Sequence, residues 1–79
     1  MGDFGDVIKT ARKKRELSQE ALGMKVGVTK NAIYDWEKER YLPTNAANIS
    51  ALERALDFES GYLYKLLYSN PPLPSTMRN

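Results

Sequence analysis

The chain has 79 residues, enough for one small domain, and its 42% hydrophobic and 28% charged residues are the balance of a folded soluble protein. With no cysteine and no histidine it can form neither disulfides nor thiolate metal sites, and an enzyme would have to run on carboxylates, lysines and tyrosines. The formal net charge of +2 hides an asymmetry: nine of the 12 lysines and arginines fall in residues 9–40, against five acids, which points to a polyanionic partner, although a solvated helix surface accounts for the same charges.

In chain order, Asp3 can cap a first helix running to about Arg15, with Phe4, Val7, Ile8 and Ala11 at the i, i+3, i+4, i+7 spacing of one apolar face. Ser18 reads as the N-cap of a short second helix, "QEALGMKV", with Leu22 and Val26 inward, and Gly27 stops it because glycine enters the left-handed region at little cost. Thr29 caps a third helix from Lys30 to about Glu39, with Ile33 and Trp36 inward and Val28 beneath its start. Pro43 disfavours helix at Leu42. A fourth helix then runs from Asn45 or Ala46 to Leu56, with Ile49, Leu52, Ala55 and Leu56 as its apolar face. Asp57 is expected to take the left-handed turn after it, and Phe58 to pack back on the core. Ser60 reads as the cap of a fifth helix, "GYLYKLLY", with Leu63, Leu66 and Leu67 inward. The expected architecture is all-α, a five-helix domain over residues 1–68, followed by a Pro-rich tail or linker at 69–79. No apolar run approaches the roughly 20 residues that span a bilayer, and "MGDFGD" is not a signal peptide, so a cytoplasmic location is expected.

The second and third helices are joined by "GVT", and two short helices linked by a glycine-containing turn describe a helix-turn-helix. Counting Gln19 as one, Gly23 falls at five, where the helices touch, and Gly27 at nine, the turn. Leu22, Val26, Val28, Ile33 and Trp36 fall at four, eight, ten, fifteen and eighteen, which must be buried to fix the angle between the helices. A helical hairpin in any small bundle satisfies some of these constraints.

On these residues, together with the "LP", "ISALERAL" and "YLYKLL" that follow, residues 4–68 resemble the Cro/C1-type (lambda-repressor-like) helix-turn-helix domain of phage repressors, antitoxins and related bacterial regulators. The resemblance implies a compact five-helix fold whose third helix enters the DNA major groove. It implies a salt bridge between Arg12 and Glu37, and a Gln19 that binds a phosphate and steadies the third helix. It places Thr29, Lys30, Asn31, Tyr34, Asp35 and Lys38 at DNA-facing positions, with Arg40 a possible phosphate contact. Two residues depart from the family pattern. Gly23 stands where alanine is usual, and Glu39 where glycine is common; a left-handed turn at Glu39 would be strained, so the helix is expected to continue or exit differently.

Each site residue also has a plainer reading. Asn31 suits an adenine edge and Lys30 a guanine or a phosphate, or both are solvated. Asp35 either accepts from a cytosine amino group or forms a surface pair with Lys38 or Lys30. Tyr34 either touches a sugar-phosphate or a thymine methyl, or is plain surface, and Trp36 reads as core. The basic run "RKKR" (residues 12–15) is either a phosphate contact or a solvated helix end. The function that follows is sequence-specific binding of double-stranded DNA, as a repressor acting through a homodimer on a palindromic operator. No cofactor, metal, membrane or small-molecule substrate is expected. The competing reading is a protein-interaction module of the same fold, favoured by Asp35, Glu37 and Glu39 on and after the third helix.

Overall fold

The computed structural model describes residues 3–68, and the tail expected at 69–79 lies outside them. Five helices follow in order: α1 (Asp3–Lys14), α2 (Gln19–Val26), α3 (Lys30–Lys38), α4 (Ala46–Ala55) and α5 (Tyr62–Tyr68). No strand occurs among the described residues, and no helix there is long and apolar enough to cross a membrane.

Local chemistry sets most of the helix ends. Ser18 Oγ accepts from the Ala21 N–H at 2.9 Å, Thr29 Oγ1 from the Ala32 N–H at 3.1 Å and Asn45 Oδ1 from the Ala47 N–H at 2.8 Å, each satisfying an amide that has no acceptor within its own helix. Gly27, at φ 93°, ends α2 and donates to the Gly23 carbonyl. Asp57 takes the expected left-handed turn at φ 61°, and the Phe58 N–H returns to the Glu53 carbonyl at 2.8 Å.

The fifth helix is capped differently from the expectation. It starts at Tyr62, so Gly61 rather than Ser60 stands before it, and its amides go to a residue of α4. Glu53 Oε1 accepts from the Gly61 N–H at 3.0 Å, and Oε2 accepts from Leu63 at 2.8 Å and Tyr64 at 3.3 Å. A carboxylate is a stronger acceptor than a hydroxyl and favours the positive end of the helix dipole, so the long-range partner displaces the local one.

The core is formed by Phe4, Ile8, Leu22, Ile33, Trp36, Ile49, Leu52, Leu56 and Leu63, contributed by all five helices. Val7 and Ala11 are only half-buried, because an open groove of about 430 Å³ lies between α1 and the Leu56–Phe58 turn. Two close backbone approaches lock the helices in place. A Cβ at Gly23 would lie 2.7 Å from the Val28 carbonyl oxygen, so glycine lets the turn pack tightly on α2 where alanine would have to push it away. A Cβ at Gly5 would lie 2.3 Å from the Glu37 carbonyl oxygen, so α1 rests directly on the backbone of α3. Gly5→Ala is therefore expected to destabilise by about 1–3 kcal/mol, despite alanine's better helix propensity, because only backbone movement relieves the overlap. A urea titration of the variant checks this.

Candidate nucleic-acid interface

The geometry of α3 is fixed from its inner face. Ile33 and Trp36 are buried, Trp36 at 6% exposure, which makes it core and not a stacking platform. Glu37 points inward from the same face and meets Arg12 of α1 in a two-pronged pair, Arg12 Nε to Oε2 at 2.6 Å and Nη2 to Oε1 at 3.1 Å. The Arg12 Nη1 donates to the Leu17 carbonyl at 2.9 Å, and Gln19 Nε2 donates to Glu37 Oε1 at 3.0 Å. The expected salt bridge is thus the centre of a buried network joining α1, the α1–α2 turn, α2 and α3. Gln19 thus reaches α3 through Glu37.

With Ile33, Trp36 and Glu37 inward, the 3.6-residue period puts Asn31, Tyr34, Asp35 and Lys38 on the opposite face, with Lys30 at the helix start. Lys30, Asn31, Tyr34 and Lys38 are exposed, as is Thr29, whose hydroxyl is occupied as the cap. Lys38 Nζ lies 5.8 Å from the centroid of the Tyr34 ring, one helical turn back, so this pair forms an aromatic and cationic end to the face.

Glu39 departs from the expectation made for it. α3 does not run on; Glu39 itself takes the left-handed conformation, φ 59° and ψ 31°, in the place of the family's glycine. The Arg40 N–H then returns to the Asp35 carbonyl at 2.9 Å, and Arg40 Nε comes to 3.8 Å from Asp35 Oδ1. The surface partner of Asp35 is therefore Arg40 and not Lys38 or Lys30, because the turn folds the chain back over the helix end. The pair is half-exposed, and such pairs contribute little stability. Its consequence is positional: Arg40 is held beside the outer face of α3.

The basic run divides in two. Arg12 is buried in the network, whereas Lys13 and Lys14 are exposed, and Arg15 Nη2 lies 3.3 Å from Asp57 Oδ2. Sequence reasoning missed two carboxylates that act at a distance: Glu53, which caps α5, and Glu39, whose Oε2 accepts from the Gly5 N–H of α1 at 2.7 Å. Neither has a local signal, since each partner lies outside its own helix.

A five-helix domain with two short helices at this turn and a polar outward face on the second of them is a helix-turn-helix domain of the lambda-repressor-like fold, and the chain belongs to the helix-turn-helix family, whose model matches residues 8–63. It is similar to repressor protein C2 of Salmonella phage P22, with 43% identity over 62 residues, which are 78% of this chain and 28% of that protein. Among solved structures it is similar to the P22 c2 repressor in complex with synthetic operator 9T in the presence of Tl+, with a TM-score of 0.71, 42% identity and coverage of 76% of this chain and 89% of that one. It is also similar to the solution structure of the DNA-binding domain (1–76) of the P22 C2 repressor, with a TM-score of 0.70, 40% identity and coverage of 78% and 80%. The chain thus spans under a third of the length of the phage repressor it matches.

Proposed function

We propose that this domain binds double-stranded DNA sequence-specifically by laying α3 in the major groove, and that it acts as a repressor by occupying an operator. The observation that carries this reading is the outward face of α3. Lys30, Asn31, Tyr34 and Lys38 stand exposed on a helix whose inner face is held by the buried Arg12–Glu37 pair. A helix in the major groove needs an exposed hydrogen-bonding edge on a rigid support, and this one has both. The similarity to a phage repressor solved with its operator supports the same reading.

In this arrangement Asn31 reads an adenine edge, Lys30 a guanine or a phosphate, and Tyr34 a thymine methyl or the sugar. Thr29, Gln19, Lys38 and Arg40 contact phosphates, and Asp35 accepts from a cytosine amino group or orients Arg40. One domain covers few base pairs, so a homodimer on half-sites about 34 Å apart supplies specificity. The exposed Tyr62, Tyr64 and Tyr68 on α5 offer a surface for it. The location that fits is the cytoplasm of a bacterial or phage-infected cell.

The acidic residues that favoured a protein-interaction module are accounted for otherwise. Glu37 is buried against Arg12, the Glu39 carboxylate accepts from Gly5, and Asp35 faces Arg40. That leaves the outward face predominantly cationic and neutral, which suits a polyanion.

A mobility-shift titration of duplex DNA against salt tests the proposal. Affinity is expected to fall log-linearly, with a slope of about −0.9 for each phosphate neutralised, and a flat response or no shift would sink it. Asn31→Ala is expected to lower the preference for one base pair by about 1–3 kcal/mol while binding to unrelated duplex persists. Competition between duplexes that differ at single positions reads this out.

A further inference from the structure

Glu39 keeps a side chain where glycine would serve the turn better. Its φ of 59° is in the left-handed region that residues with a Cβ rarely enter. The side chain is in use: Oε2 accepts from the Gly5 N–H at 2.7 Å. That amide belongs to the first turn of α1, where N–H groups have no acceptor in their own helix and the dipole favours a carboxylate. The backbones meet at the same place, because Gly5 lies against the Glu37 carbonyl. The C-terminal pole of α3 therefore rests on the N-terminal pole of α1, and Glu39 bridges them.

Among the described residues, the bridge adds to another side-chain tie between these helices. That other tie is Arg12–Glu37, seven residues further along α1, or about 10 Å at 1.5 Å per residue. The buried Ile33 and Trp36 and the Arg12–Glu37 pair fix where α3 sits, and a second tie two helical turns away along α1 narrows the tilt that they leave. Asn31 lies about 9 Å along α3 from Glu37, so a tilt of roughly 10° about the first tie moves it by about 1.5 Å, enough to break a hydrogen bond to a base edge. The same turn at Glu39 brings Arg40 back beside Asp35, within 3.8 Å.

We propose that Glu39 is a positioning residue for sequence readout: its carboxylate, joined to the first turn of α1 through Gly5, sets the tilt at which α3 presents Asn31 and Asp35. The inference rests on the DNA-binding reading of α3. A role in stability alone makes a different prediction: the glycine variant would then melt lower and still discriminate between duplexes as the wild type does.

The test uses the full chain with Glu39→Gly and Glu39→Gln. Amide exchange at Gly5 is read without DNA, and the ratio of affinities for the duplex selected by the wild type over a scrambled duplex is read with it. Glu39→Gln retains an acceptor oxygen and is expected to keep both the Gly5 protection and the ratio, within about threefold. Glu39→Gly is expected to fold with an undiminished melting temperature, lose the Gly5 protection and lower the ratio tenfold or more. A glycine variant that discriminates like the wild type, or a glutamine variant that fails like glycine, overturns the inference while leaving DNA binding intact. A wild type that selects no duplex overturns the DNA reading and this inference with it, whatever the Gly5 exchange shows.

Discussion

Glu37→Ala is expected to cost about 3–5 kcal/mol of folding stability, more than replacing both members of its pair together. The reason is an asymmetry of desolvation. Arg12 and Glu37 have side chains only 10% and 3% exposed, and each is the counter-charge of the other in the interior. Removing the carboxylate leaves the guanidinium with the Leu17 carbonyl and no counter-charge, and leaves the Gln19 amide without its acceptor. A double replacement, Arg12→Met with Glu37→Leu, removes both charges and fills the space with apolar volume, so it should recover most of the loss. Urea titrations of the two variants and the wild type give the comparison. A single variant less destabilised than the double would contradict the account of the network. Because the loss is a large share of the roughly 5–15 kcal/mol typical of a whole domain, the single variant is also expected to lose any activity that depends on the setting of α3.

The second large effect is expected at Glu53. One buried carboxylate accepts from three backbone amides at the start of α5. A seven-residue helix has no stability of its own, so α5 persists only through its packing on the body, chiefly by Leu63, and through this cap. Glu53→Ala leaves the Leu63 amide buried without an acceptor, and charge-assisted bonds of this kind are among the stronger ones. The expected loss is about 3 kcal/mol, a melting temperature lower by roughly 15 °C in a domain of this size. Glu53→Gln keeps one acceptor oxygen and should fall between. Hydrogen exchange localises the effect: the Leu63 and Tyr64 amides are expected to lose protection before those of α2 and α3. Uniform loss across the chain would show that the carboxylate supports the whole core and not α5 in particular.

Both effects bear on how far the fold could be read from the residues alone. The helices were legible because their apolar faces recur at helical spacing, and because Ser18, Thr29 and Gly27 are chemical signals for ends that depend only on neighbours. Asp57 was legible for the same reason, since a short polar side chain after an apolar stripe tolerates the left-handed turn. The readings that failed were those in which a distant group competed with a local rule. Ser60 is a good local cap, but Glu53 reaches the same amides with a charge. Glu39 is a poor residue for a left-handed turn, but its carboxylate has an acceptor's place at Gly5, two helices away in sequence. For the surface-pair reading of Asp35, only lysines on its own helix are visible in the sequence as partners, because spacing along α3 shows there and the reversal that brings Arg40 back does not. The candidate interface was legible as a face, through the periodicity that buries Ile33 and Trp36. Under the proposed function, which base each residue would meet depends on the depth and tilt of α3 in the groove, which no spacing in the sequence encodes.

Whether the outward face of α3 reads DNA sequence is decided by selecting bound duplexes from a random pool with the wild-type chain. Enrichment of one defined sequence, repeated with two-fold symmetry at a spacing of about one helical turn, is expected. Recovery of duplexes with no common sequence, or of none above background, would contradict it.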